Sequence, residues 1–493
     1  MQRGYDHLVV GGGTAGVVTA VRLAQALPDA RIGLLEAGPT DAGDERVLRA
    51  RRWMELLGGE LDYDYAIERS PRGNELIRHS RARVLGGCSS HNSVIAFRAP
   101  DRDLDHWVAR GAAGWGPADC APAFARVCSQ VHVTETPVRN PVNEAVIAAA
   151  EQAGLPRVRF NDGAFTEGVG WLPLALRDGI RQSSSVAYLH APGPPPNLDV
   201  VTDTRALRLV LERGRAAGVD TPGGRVRVAG ETILACGAFD SPKLLLLSGI
   251  GPQAQLRAAG VDVAVDLPAV GAHLLDHPEG VVNWETRRAV PAETAQLFEV
   301  GVFARTEPGA RHPDVMLHVG LIPFTVNTAL RGYPTAEHGI SLTPNVCRAR
   351  SEGSVRLRSA DPRDPPRIDF RYFADPYDER VMLAGVALAR EIAAQPALRG
   401  WIARELTPGV AVTAPAALSE YTRSTANTVY HPAGTCRMGA ADDPDAVVDP
   451  ALRVRGVDAL RVADASVFPS LTSVNPMLTV MMIGERAAEL VTA

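Results

Sequence analysis

Residues 5–36, YDHLVVGGGTAGVVTAVRLAQALPDARIGLLE, restrict this chain more than any other stretch. His7–Val10 is a short apolar run with β-branched residues and reads as a buried strand. Gly11, Gly13 and Gly16 follow as G-x-G-x-x-G, and Val17–Ala26 continues as an Ala/Val/Leu-rich helix. Gly11 permits the tight turn, Gly13 admits a pyrophosphate to the backbone at the positive helix end, and Gly16 lets helix and strand pack closely. A second strand, Arg31–Leu35, ends in Glu36, twenty residues past Gly16. At that distance an acidic side chain grips a ribose 2′-OH. An acid there argues against a 2′-phosphate, so FAD or NAD is expected rather than NADP. Taken alone, G-x-G-x-x-G is also compatible with a glycine-rich turn in an unrelated α/β domain; strand, helix and acid in register favour the dinucleotide.

At 493 residues the chain is too long for one simple core, and two domains are expected. A net charge of −5 leaves no footprint for nucleic acid. No run approaches the roughly 20 apolar residues of a membrane span, and the first strand begins too early for a leader signature. The six cysteines are scattered without a C-x-x-C pair, which argues against a structural metal and predicts reduced thiols in a cytoplasmic protein.

Residues 40–80 mix charge with turn residues and read as an excursion above the nucleotide site. Trp53 lies there, where a lone tryptophan is usually packing. In HSRARVLGGCSSHNSVIAFRAP (79–100), Gly86-Gly87-Cys88-Ser89-Ser90 is a small-residue turn that can bring backbone N–H groups close to a planar or anionic ligand. His91 stands just beyond it; by residue type alone it is more often a hydrogen-bonded structural histidine. In GAFDSPKLLLLSGIG (237–251), Asp240 or Ser241 is expected to cap a helix with Pro242 at its first position and Gly249 past its end. Across 280–430, strand-like runs at Val281–Trp284, Asp314–Leu321, Gly339–Thr343 and Ser354–Leu357 predict an antiparallel sheet, and Pro376–Ala394 a long helix. A strand at Leu460–Val462 precedes Asp464-Ala465-Ser466. Asn475 as N-cap with Pro476 at the first position opens a final apolar helix, Met477–Val491.

The N-terminal glycine motif with Glu36, RVLGGCSSHN, GAFDSPKLLLLSGIGP, HPAGT-x-RMG and LRVADASVFP followed by NP together resemble the glucose–methanol–choline (GMC) family of FAD-dependent alcohol oxidoreductases. They run from one end of the chain to the other in the family's order. GGCSSHNSVIAF, DHPEG, NTVYHP and VNPMLTVMMIGER resemble most closely its members that oxidise choline-like alcohols. The resemblance implies a discontinuous Rossmann-like FAD domain (1–155, 196–276 and 440–493) and an α+β substrate domain with an antiparallel sheet (156–195 and 277–439).

It further implies FAD attached covalently through His91. FAD contacts are expected from Gly11, Gly13, Thr14, Ala15, Gly16, Glu36, Arg83, Gly86, Gly87, Ser90, Asn92, Asp464, Ala465, Asn475 and Pro476. His431, Asn475, His318 and Ser93 match catalytic positions, and Val429 matches a small apolar residue at the oxygen site. Glu279 matches a carboxylate facing a trimethylammonium head, with Trp53, Tyr430, Phe298 and Phe324 as its aromatic surround. A quaternary ammonium has no N–H to donate, so only charge and ring faces can hold it. Phe298 departs from the family pattern, which has tryptophan there. No metal is implied. The expected partners are a small-molecule alcohol and O2, and a homodimer is left open. Two rivals remain at this stage: a dehydrogenase passing electrons to a quinone or carrier, and a hydroxynitrile lyase that keeps FAD without redox turnover.

Overall fold

A computed structural model describes residues 4–70, 72–162, 165–307 and 309–493. His7–Val10, Ile32–Leu35, Leu198–Val201, Thr232–Leu234 and Leu460–Val462 form one parallel sheet. Its order places His7–Val10 at the centre, with Ile32–Leu35 on one side and Thr232–Leu234 on the other. The chain therefore changes direction across the sheet at the strand that feeds the glycine turn. In open α/β sheets that is where ligands bind, beyond the carboxyl ends of the strands.

The first helix, Thr14–Ala26, is sandwiched between this sheet and the C-terminal helix, Met477–Thr492, and is apolar over most of its surface. Its approach to the strand turn is close: a Cβ on Gly16 would lie 1.9 Å from the Gly11 carbonyl oxygen.

A second core surrounds an antiparallel sheet, with strands in the order Ile402–Thr407, Val282–Thr286, Gly339–Val346, Val315–Gly320, Phe298–Ala304 and Gly168–Trp171. The short strand Pro278–Glu279 joins it between Gly339–Val346 and Asn427–Thr428. Helix Pro376–Ala393 covers one face. Helix Pro141–Gln152 lies in the stretch assigned to the nucleotide domain, yet its apolar face packs into this second core.

Three local expectations are corrected. The helix after Thr232–Leu234 spans Gly237–Leu247, so Pro242 sits inside it rather than at its first position. Ser241 does not cap it from outside: its hydroxyl accepts from Cys236 N–H (3.0 Å) and donates to Asp464 (2.5 Å), which also accepts from Gly237 N–H (2.8 Å). The missing Pro242 N–H leaves the Ala238 carbonyl short of a helical donor, and the Thr435 hydroxyl supplies one at 2.6 Å. Asn475 does not cap the last helix; Pro476 holds that position and the Asn475 amide turns to His431. Among the described residues, Ser354–Arg356 forms a separate two-stranded sheet with Arg367–Asp369 rather than joining the antiparallel sheet.

Gly16→Ala is expected to cost about 1–3 kcal/mol or more, because the obstruction is backbone and cannot swing aside. Thermal unfolding and bound-flavin stoichiometry check this; an unchanged Tm with full flavin content contradicts it.

Candidate active site

One large cavity runs from the carboxyl end of the parallel sheet to the antiparallel sheet. At its first end lie Gly11, Gly13, Thr14, Ala15 and Glu36. Gly11 has φ +104°, a conformation that disfavours side chains. The helix that follows has Gly13 as its N-cap, no side-chain cap and no acid in its first turn. Its leading N–H groups and positive dipole end thus face the cavity uncompensated, as a pyrophosphate requires. Glu36 accepts from Gly12 N–H (2.9 Å) and Gly38 N–H (2.7 Å). Burial pushes its carboxyl up to about 7, against these bonds. Each oxygen retains a lone pair that a ribose hydroxyl can use.

The turn at 86–92 forms the adjoining wall. Gly87, at φ +53°, lies so near Gly13 that a Cβ would come within 2.7 Å of the Gly13 Cα. Gly86, at φ +85°, has no room for one either: Ser90 Oγ would be 2.1 Å away. Arg181, fully buried, ties this turn down by donating to the carbonyls of Ser89 and Asn92. Gly87, His91 and Asn92 reach the cavity, as do Asp464, Ala465, Asn475 and Pro476. Gly16, Gly86, Ser90 and Arg83 do not. The first three shape the wall from behind, and Arg83 donates instead to the Glu60 carbonyl (2.9 Å). His91 is buried with Nε2 3.2 Å from the Leu56 carbonyl, and desolvation pushes its pKa down to about 4, so the ring is neutral.

At the far end, His431, Asn475, His318 and Ser93 line the same space. Asn475 Nδ2 faces His431 Nε2 at 3.4 Å. Burial holds the His431 imidazole well below its ordinary value and pushes His318 down to about 4. Both rings are therefore neutral near pH 7. Asn345 Nδ2 faces His318 Nδ1 at 3.3 Å and also donates to the Met316 carbonyl (3.0 Å). That arrangement makes Nδ1 the acceptor and leaves the proton on His318 Nε2. His318 Nε2 and Asn475 Oδ1 are buried without a hydrogen-bond partner among the described residues.

Glu279 is 6 % exposed, 4.0 Å from His318 Nδ1 and 3.4 Å from Asn427 Nδ2. Burial pushes its carboxyl up to about 8. Around the same space stand Trp53, Phe298, Phe324, Tyr430 and Val429. Phe298 meets both Trp53 (centroids 6.0 Å, 62°) and Phe324 (6.1 Å, 89°) edge-on. Trp53 is fixed by donating Nε1–H to the Gln296 carbonyl (2.9 Å). One cavity thus holds a buried carboxyl, several aromatic rings, a pair of neutral histidines and an amide.

Sequence reasoning missed the residues that hold His431. Tyr430 adopts φ +65°, an uncommon conformation for a non-glycine residue. Arg81 donates to its carbonyl (2.6 Å), and Tyr430 N–H donates to Thr428 Oγ1 (2.7 Å). Asp276 accepts from His431 N–H (2.8 Å), Thr428 Oγ1 and Tyr372 OH (both 2.5 Å). Burial opposes its charge, but hydrogen bonds from His79, Thr428 and Tyr372 hold the carboxyl well below the usual range. His277 sits behind His431, the two Nδ1 atoms 2.9 Å apart. The available signal was an Asp-His pair just before Glu279.

Family models for GMC oxidoreductase match residues 5–279 and 349–484. The chain is 49% identical to choline oxidase of Arthrobacter globiformis, over 99% of this chain and 94% of that one. It is 34% identical to the mitochondrial choline dehydrogenase of Homo sapiens, covering 99% and 89%. Among solved structures it superposes on pyridoxine 4-oxidase from Mesorbium loti with TM-score 0.91 and 30% identity, covering 98% of both chains. Among the described residues no helix is long and apolar enough to cross a membrane. The glycine cradle, the open helix terminus and the buried acid fit the dinucleotide that sequence motifs at both ends of the chain call for. The chain belongs to the GMC oxidoreductase family, whose members bind FAD.

Proposed function

We propose that this protein oxidises a choline-like quaternary ammonium alcohol with oxygen as electron acceptor. The observation that carries the reading is Glu279, a buried carboxyl that lines the same cavity as Trp53, Phe298, Phe324 and Tyr430 and as His431, His318 and Asn475. A permanent cation without N–H groups satisfies both the charge and the ring faces. The relatives named choline oxidase and choline dehydrogenase agree with it.

The cradle at Gly11–Ala15 would hold the pyrophosphate, Glu36 the ribose, and the 87–92 turn with Asp464, Ala465 and Pro476 the remainder of FAD. Bound FAD supplies a hydride acceptor that oxygen reoxidises with release of hydrogen peroxide. His431 Nε2 takes the hydroxyl proton of the alcohol. His318 Nε2–H donates to the alkoxide that results, and Asn475 orients it. A neutral base of lowered pKa stays unprotonated across the working range, and general-base help is typically worth about 10²–10⁴-fold. Ser93 and Val429 line the approach, and the Val429 side chain leaves an apolar wall for oxygen. His91 would hold the flavin covalently: its neutral ring has one unprotonated nitrogen available for such a bond.

Four outcomes test the proposal. His431→Gln is expected to keep its FAD and lose roughly 10²–10⁴-fold in the anaerobic rate of flavin reduction by choline; reduction at the wild-type rate sinks the assignment. Acid precipitation should leave the yellow colour on the wild-type chain and release it from His91→Ala. The third outcome concerns pH. Free Glu279, with its carboxyl near 8, is mostly protonated at neutral pH, and a cationic head stabilises the charged form. Binding the cation therefore releases a proton, and kcat/KM for choline should rise with pH and level off above about 8. That rise should be absent with the neutral isostere 3,3-dimethylbutan-1-ol. Glu279→Gln should lose on the order of 10²-fold in kcat/KM for choline and little for the isostere. Equal losses for both alcohols would remove Glu279 as the reader of charge.

A further inference from the structure

His277 lies behind His431, 2 % exposed and outside the cavity wall. Its Nε2 is 2.9 Å from the carbonyl oxygen of Cys347 and 2.9 Å from that of Thr472. Carbonyl oxygens only accept, so Nε2 carries the proton and donates to both. Burial pushes this imidazole below its ordinary value, so the ring is neutral and carries one proton only. Nδ1 of His277 is therefore a bare acceptor. It meets Nδ1 of His431 at 2.9 Å, with the ring planes at 87°. Two lone pairs cannot face each other at that distance, so His431 Nδ1 carries the proton and donates to His277. His431 is neutral too. Its lone pair is then left on Nε2, the atom that faces Asn475 Nδ2 and the cavity.

We infer that His277 is a positioning residue that selects the His431 tautomer with a bare Nε2, through a chain of hydrogen bonds anchored on the Cys347 and Thr472 carbonyls. The inference rests on the reading of His431 as the base. When His431 Nε2 takes a hydroxyl proton, the ring becomes an imidazolium whose Nδ1–H stays bonded to the His277 lone pair. No second proton moves, and His277 keeps its own proton on Nε2. The task resembles that of the aspartate in a Ser-His-Asp triad, which holds a histidine in the correct tautomer. Here a neutral ring does it. The two carbonyls belong to different parts of the fold: Cys347 follows strand Gly339–Val346 of the antiparallel sheet, and Thr472 precedes the C-terminal helix. The tautomer is thus set by where the two cores meet.

The test uses holoenzyme labelled with 15N-histidine, with the His431 signals identified by their loss in His431→Gln. The expected wild-type spectrum shows Nε2 of His431 unprotonated and Nδ1 protonated. In His277→Leu the acceptor is gone; the His431 signals should move to a mixture of tautomers, with flavin reduction by choline slowed roughly 10- to 100-fold at unchanged FAD content. A wild-type His431 protonated on Nε2 overturns the inference, and so does a His277→Leu protein whose His431 tautomer is unchanged. The wild-type spectrum decides the matter even if His277→Leu does not fold. Wild-type flavin reduction in His431→Gln would instead remove the reading of His431 as base, and the spectrum would still report the tautomer.

Discussion

The contact between the Gly11 carbonyl and Gly16 governs this structure. A strand ending in the centre of a parallel sheet must hand over to a helix within three residues, and the helix must start against the strand's own backbone. Only then do the leading N–H groups of Thr14–Ala26 project past the sheet edge instead of over a side chain. The same closeness recurs one layer out, where Gly87 rests on Gly13 and brings the 86–92 turn against the helix terminus. Two glycine contacts therefore set the distance between the dinucleotide cradle and the wall that carries His91.

The reactive end depends on a different economy. It brings several ionisable groups together in a buried space, and each is kept in one protonation state by its neighbours. Asp276 stays charged because three side chains and a backbone N–H donate to it. The histidines stay neutral because burial disfavours a cation, and that outweighs the nearby Asp276 at His431. Glu279 is the exception that suits a cationic ligand: its charge is costly in the empty pocket and compensated once a positive head group enters.

Much of this was legible from residue order. The glycine turn, Glu36, helix Pro376–Ala393 and strand Leu460–Val462 follow from local patterns, with bounds within a residue or two. Strands Phe298–Ala304 and Gly168–Trp171 went unnamed because they are buried on both faces and lack alternation. Pro242 and Asn475 misled for a shared reason: propensity placed them at helix starts, and tertiary partners used them otherwise. Thr435 relieves the carbonyl that Pro242 strands, and His431 claims the amide that would have capped a helix. The motifs pointed to His431, Glu279 and Asn475, the groups that face the cavity. Asp276, His277 and Arg181 face away from it, and their roles exist only through contacts 70 to 195 residues away in sequence.

The contact between the first and last helices bears on how the chain acquires its cofactor. Thr19 donates to the Gly484 carbonyl across 465 residues, and the last helix covers the first along its length. Loop-closure entropy makes such a contact late to form. The cradle motif leaves the ribosome well before the residues that complete its walls, Asp464 to Pro476. During synthesis the glycine turn is accordingly an exposed, half-built site with an unshielded apolar helix beside it. The walls of the cradle are complete only once the C-terminal segment has packed back onto the first helix, within the first core.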